Sequence, residues 1–261
     1  MSTPVQASWE IVRGEGPLVA VALHAGHQVD PAVESYMRID SLTRMREEDP
    51  GTDWWTAVGD HQVVVHTSRF QMDMNRPHEK AIYSGPEQAW GLDVWREPLP
   101  DELRMAAIQH HDRFYGQVHA LLDELLERHD RVVVFDLHSY CHRRGGPDAP
   151  PDDPALNPDI NLCTRTVDLA SWSGLIDRAE AAIRAHPTHG FSLDVRRDIK
   201  FTGGRFVQWV NHAFGARACG LQIEVKKTFM DEWTGSLDPP RHAAIGGAIQ
   251  AAADAVRGWL Y

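Results

Sequence analysis

With 261 residues, 43% of them hydrophobic, and a formal net charge of −11, the chain can bury one substantial core, and a single domain over residues 1–261 is expected. The acidic balance argues against nucleic acid or an anionic membrane as partner, because both reward a basic face. Cys141, Cys163 and Cys219 are odd in number and lack CxxC spacing, which argues against a disulfide framework or a thiolate zinc site. The start, Met1 to Ser8, has no basic region leading into an apolar core, and no run approaches 18 apolar residues, so a soluble, cytoplasmic protein is expected.

In chain order, Leu18 to Leu23 reads as a first buried strand, running into His24-Ala25-Gly26-His27. Gln62 to His66 reads as a second strand. A long helix starts near Pro100 and ends near His129, with Leu103, Ala107, Phe114, Val118, Leu121 and Leu125 on its apolar stripe. Arg131 to Leu137 is a third strand, closing in Asp136-Leu137-His138-Ser139. The segment from Arg143 to Pro158, rich in Pro, Gly and Asp, is a loop and a candidate rim or lid. A helix from Leu169 to Ala185 buries Trp172, Leu175, Ile176, Ala179 and Ile183. Gly220 to Val225 is another strand, and a last helix begins at Asp238-Pro239-Pro240 and carries Ile245, Ile249, Ala252 and Val256 on one face. Strands alternating with helices indicate an α/β fold with a mostly parallel sheet.

Strands this apolar are buried on both faces, so their first polar residues emerge at the carboxyl edge, where α/β proteins keep their sites. His24 and His138 close two such strands, and Glu224 sits within apolar Leu221 to Val225. Two imidazoles and a carboxylate suit a catalytic zinc site, which uses three protein ligands and leaves one position for water. For the third ligand the spacing leaves Glu47, Glu48, Asp49 and Asp53 open. His27 and His142 would share a metal with His24 and His138 only in a helical turn, and both follow strands. His110 falls on the apolar face of the long helix, while His129 and His186 end helices, where imidazolium suits the dipole.

Seven short motifs, in register, resemble the N-formylglutamate amidohydrolase family over roughly residues 17 to 233. They are His24-Ala25-Gly26, Thr52-Asp53-Trp54, Ser68-Arg69 through Asp73-Met74-Asn75-Arg76, Asp136 to Ser139, Pro158-Asp159-Ile160-Asn161, Gly203-Gly204, and Leu221 through Glu224 to Glu232. The resemblance implies a three-layer α/β/α fold with a mixed, mostly parallel central sheet, similar to zinc carboxypeptidases. It implies one zinc per chain held by His24, Asp53 and His138, with Glu224 as general acid and base. Asp53 is chosen over Asp49 only because Thr-Asp-Trp is the family wording.

The implied reaction is hydrolysis of the N-formyl, or another small N-acyl, amide of an acidic amino acid such as N-formyl-L-glutamate. By the same resemblance Asn75 and Arg76 hold a substrate carboxylate, and Arg69 polarises the oxyanion or binds a second carboxylate. His119 faces the site from a helix, Asp159 and Asn161 line the cleft, and Arg205 contacts substrate or intermediate. The chain departs from the family at Leu23 before His24, at Cys163-Thr164, and beyond the glycine pair, where Gln208 and Trp209 stand in place of a basic residue. Two alternatives stay open: a carboxypeptidase-like zinc peptidase on a short peptide, and a noncatalytic metal-binding or interaction domain.

Overall fold

The apolar runs form the inner strands of one seven-stranded sheet. The computed structural model describes residues 7–188 and 190–260; most of the amino-terminal stretch read above for a leader lies outside them. In chain order the strands are β1 (Trp9–Val12), β2 (Leu18–Ala22), β3 (His61–Val65), β4 (Val132–Tyr140), β5 (Ile160–Cys163), β6 (Val195–Arg197) and β7 (Ala218–Lys226). Their order in space is β1-β3-β2-β4-β7-β5-β6. β3, β2, β4 and β7 run parallel, β1 is antiparallel to β3, and the parallel pair β5 and β6 joins β7 in antiparallel register. Every residue of β2 and β4 is buried, as strands covered on both faces require.

Helices form a layer on each face. α4 (Asp101–Arg128) and α6 (Arg205–Phe214) cover one, where Phe114, Val118, Leu121, Phe206 and Val210 pack on Val19, Val21, Val132 and Val134. α5 (Leu169–Ala185) and α7 (Pro239–Leu260) cover the other, bringing Trp172, Leu175, Ile245 and Ile249 onto Leu18, Ala20, Val133 and Phe135. Alternate residues of β2 and β4 therefore feed opposite layers. Each fully buried side chain such as Phe114 contributes roughly 1.5–3 kcal/mol through loss of apolar surface to water. Three short helices, α1 (Pro31–Glu34), α2 (Ser41–Glu47) and α3 (Thr52–Trp55), lie between β2 and β3. No helix among the described residues is long and apolar enough to cross a membrane.

Some elements differ from the sequence reading. β4 continues to Tyr140, so His138 lies inside the strand rather than beyond it. On α4 the buried histidine is His111, with His110 only partly covered. Steps of four and three from Ala107 to His111, Phe114 and Val118 place position 111 on the buried stripe. Its Nε2 donates to the Arg76 carbonyl at 2.9 Å.

Candidate metal centre

Three adjacent parallel strands deliver polar side chains to one edge of the sheet. His24 lies just beyond β2, His138 near the end of β4, and Glu224 on β7 as the register partner of His138. Asp49 comes from the turn between α2 and α3, where its backbone N–H donates to the His24 carbonyl at 2.8 Å. Asp49 Oδ2 lies 3.0 Å from His138 Nδ1 and 3.4 Å from His24 Nδ1. One ligand atom from each of the three lies within 4.8 Å of the others, and all three residues are buried.

The opposite ring nitrogens face other carboxylates. His24 Nε2 is 2.7 Å from Asp73 Oδ1, and His138 Nε2 is 3.0 Å from Asp136 Oδ1. A carboxylate only accepts, so His24 carries its proton on Nε2 and keeps a lone pair at Nδ1. That Nδ1 is buried without a hydrogen-bond partner. A lone pair left over beside a second imidazole and a carboxylate, with an outer carboxylate behind each ring, is a donor set suited to a transition metal.

Electrostatics agree with that reading. Burial opposes ionisation of Asp49, yet the hydrogen bond from His138 and the adjacent His24 ring hold its carboxyl below the ordinary range. Burial likewise opposes charge on His138, but Asp136, Asp49 and Glu224 raise its pKa well above the usual value. Asp73 is balanced by Arg69, whose Nη2 lies 2.8 Å away. Asp49, Asp136 and Glu224 remain against the single imidazolium of His138, an excess of buried carboxyl groups that a divalent cation would offset.

Asp53, the ligand implied by the resemblance, is not in this group. It sits in the first turn of α3, partly exposed, and its carbonyl accepts from the Thr56 hydroxyl. The turn bearing Asp49 is instead drawn inward by Lys227, itself 1% exposed, whose Nζ donates to the carbonyls of Arg46 at 2.6 Å and Glu48 at 2.5 Å. Glu47, Glu48 and Asp49 are consequently buried rather than part of a solvated loop.

The centre opens into a cavity of about 350 Å³, whose wall includes Glu224, Arg69, Asn75 and Arg76. Burial, with Asp49 and Asp136 nearby, pushes the Glu224 carboxyl up to about 7, against the opposing pull of His138 and Gln222. Gln222 Nε2 donates to Glu224 Oε1 at 2.5 Å. Besides Asp73, Arg69 donates to Tyr83 Oη at 3.0 Å and the Glu47 carbonyl at 3.3 Å, and its guanidinium stacks 4.5 Å from the Trp90 ring centre. Asn75 Oδ1 accepts from the Phe206 N–H at 2.9 Å, at the start of α6. Only glycine fits at 204, since a Cβ there would lie 2.3 Å from Asn75 Nδ2. Arg76 is 43% exposed, with its nearest carboxylate, Asp73, 3.9 Å away.

Four other expected site residues do not line this cavity. His119 is exposed on α4, outside the stripe through Phe114, Val118 and Leu121, and pairs with Asp123 at 2.9 Å. Asp159 is taken up by Lys226 at 2.8 Å and the Asp194 N–H at 3.0 Å. Arg205 is exposed at the start of α6. Asn161, fully buried, shapes the adjoining loop: its Oδ1 accepts from the N–H groups of Ile199 and Lys200 at 2.9 and 2.8 Å, and its Nδ2 donates to the Phe201 carbonyl at 3.0 Å. The sequence reading assigned no role to Asp73 or Asp136. For Asp136 the signal was present, because residues two apart on a strand share a face.

Over residues 16–230 the chain matches the N-formylglutamate amidohydrolase family. It belongs to that family. The matched span of the N-formylglutamate amidohydrolase family runs from just before β2 to just past β7 and includes every residue of the metal centre and Glu224. The chain is similar to the N-formylglutamate amidohydrolase of Ralstonia eutropha JMP134, with a TM-score of 0.75 at 17% identity over 97% of each chain. It is also similar to a gene product of Agrobacterium tumefaciens, with a TM-score of 0.66 at 18% identity over 97% of this chain and 96% of that one. At such identities these two structures show the fold. A comparison with curated proteins found no significant match. Membership in the N-formylglutamate amidohydrolase family supports an amidohydrolase activity, and the buried His24, Asp49 and His138 group suggests a metal.

Proposed function

We propose that the protein is a zinc-dependent amidohydrolase that removes a formyl or other small acyl group from the nitrogen of an acidic amino acid, as in N-formyl-L-glutamate. The observation that carries this reading is the His24, Asp49 and His138 donor group beside a buried Glu224 on the next strand. Two imidazole nitrogens and one carboxylate oxygen favour zinc over the hard cations that prefer all-oxygen sites. When bound, the metal supplies Lewis acidity to the scissile carbonyl and makes its water acidic enough to deprotonate near neutrality.

The chain's own residues do the rest. Glu224, with its carboxyl near 7, takes a proton from the attacking water and passes it to the departing amine, a task that favours a pKa close to working pH. Arg76 holds the substrate α-carboxylate through its forked donors. Arg69, fixed by Asp73 and Tyr83, places positive charge near the developing oxyanion at no cost in reorganisation. Asp73 and Asp136 orient the two rings so that both Nδ1 atoms face Asp49. A cavity of about 350 Å³ suits a small substrate.

The test is formate release from N-formyl-L-glutamate by zinc-replete protein, set against amine release from N-acetyl amino acids and short peptides. Glu224→Gln should retain its zinc and lose turnover by about 10²- to 10⁴-fold, the usual worth of a positioned acid or base. Wild-type turnover in that variant would remove Glu224 from the mechanism. Preferred cleavage of peptides would favour the carboxypeptidase-like reading, and protein that stays zinc-free under zinc loading would overturn both.

A further inference from the structure

The cavity wall carries five cationic side chains, Arg69, Arg76, Arg144, Lys200 and Lys227, against three carboxylates, Glu47, Asp49 and Glu224. On a chain of net charge −11 this is a local concentration of cationic side chains. Three of the five cations are already committed. Arg69 is bound to Asp73, Tyr83 and the Glu47 carbonyl. Arg144 is paired with both carboxylate oxygens of Glu47, at 3.1 and 2.9 Å. Lys227 is spent on two backbone carbonyls. Arg76 and Lys200 remain. Among the described residues Lys200 has no carboxylate at ion-pair distance; its Nζ lies 5.7 Å from the Tyr140 ring centre.

Lys200 is also held where it is. Its own backbone N–H and those of Ile199 and Phe201 all point at Asn161 Oδ1, and the Phe201 carbonyl is held by Asn161 Nδ2. A buried carboxamide at the centre of a loop fixes the backbone that presents the ammonium group, so a ligand has only the Lys200 side chain left to order.

Resting on the amidohydrolase reading above, we propose that Lys200 is the specificity-determining residue for a second carboxylate on the substrate. Arg76 and Lys200 together make the site selective for a dianion, an N-acyl dicarboxylic amino acid, over a neutral analogue of the same shape. A charge-assisted hydrogen bond of this kind corresponds to about tenfold to a hundredfold discrimination.

The experiment compares kcat/KM for N-formylglutamate and N-formylglutamine, which have nearly the same shape but end in a carboxylate and a neutral carboxamide. Wild-type protein should favour the dianion, Lys200→Met should lower the ratio of the two kcat/KM values about tenfold or more, chiefly through KM, and Lys200→Arg should restore it. An unchanged ratio, or an equal loss on both substrates, would overturn the assignment. If zinc-replete wild-type protein hydrolyses neither these compounds nor their N-acetyl counterparts, the amidohydrolase reading fails and calorimetry decides the inference separately. Tighter binding of glutarate than of butyrate, lost in Lys200→Met, would uphold the second anion subsite; equal binding of the two acids, or glutarate binding that survives Lys200→Met, would remove it.

Discussion

The acids around His24 and His138 differ by which ring atom each one faces. Asp49 meets the Nδ1 side of both rings, whereas Asp73 and Asp136 stand behind the Nε2 atoms. Zinc binding should therefore collapse in Asp49→Ala and persist in Asp53→Asn, a contrast read directly by metal content after dialysis. Asp136→Asn should keep the metal but weaken it by about 10- to 100-fold in a chelator competition, the usual effect of losing an outer-shell partner; unchanged affinity would leave Asp136 a bystander. The two histidines were legible in the sequence because each follows a run of residues that only a doubly covered strand tolerates. Asp49 was not, since four acids lie within seven residues and what distinguishes it is tertiary: its N–H reaches the His24 carbonyl, and Lys227, from the far side of the chain, draws its turn into the interior.

At the level of elements, the long helices and the strands β2, β3, β4 and β7 were readable from periodicity and burial pattern. β1, β5 and β6 were not, being three or four residues long; β6, Val195-Arg196-Arg197, offers a single apolar side chain. α6 was hidden behind Gly203-Gly204, which reads as loop although Gly204 is its N-cap. The same shortness of signal explains Asn161, which resembled a cleft residue but serves as a bracket for the Ile199 to Phe201 backbone. The turn between α2 and α3 depends on one distant side chain, so Lys227→Met should leave the buried Glu48 carbonyl without its donor and the Arg46 carbonyl with only the Cys141 thiol. A stability loss of about 1–3 kcal/mol is expected in denaturant titration, together with weaker zinc binding as Asp49 shifts. Normal zinc affinity in a destabilised variant would mean that Lys227 supports the fold without positioning Asp49.

For the molecule as a whole, the sheet edge that holds the site concentrates buried negative charge, and folding without a cation must bear it. Zinc should consequently raise the melting temperature. At a free metal concentration 100 times Kd the linkage is about 2.7 kcal/mol, which for a chain of this size corresponds to roughly 5–10 °C. A chelator should lower the transition by that amount and zinc restore it; a transition indifferent to both would argue against the metal centre. The strand order carries a further consequence, for how the molecule comes together in time. β5 and β6 reach the rest of the sheet only through β7, the last strand in the chain, and until β7 inserts, the nine-residue, wholly buried β4 has a free edge. β7 thus acts as a keystone: Arg76 and Lys200, which line one cavity from segments before and after β4, are not brought to it before Ala218 to Lys226 is in place. A nascent chain stopped short of that point would present an apolar strand edge to its neighbours, which makes the interval before β7 emerges the one most exposed to aggregation and most in need of chaperone cover.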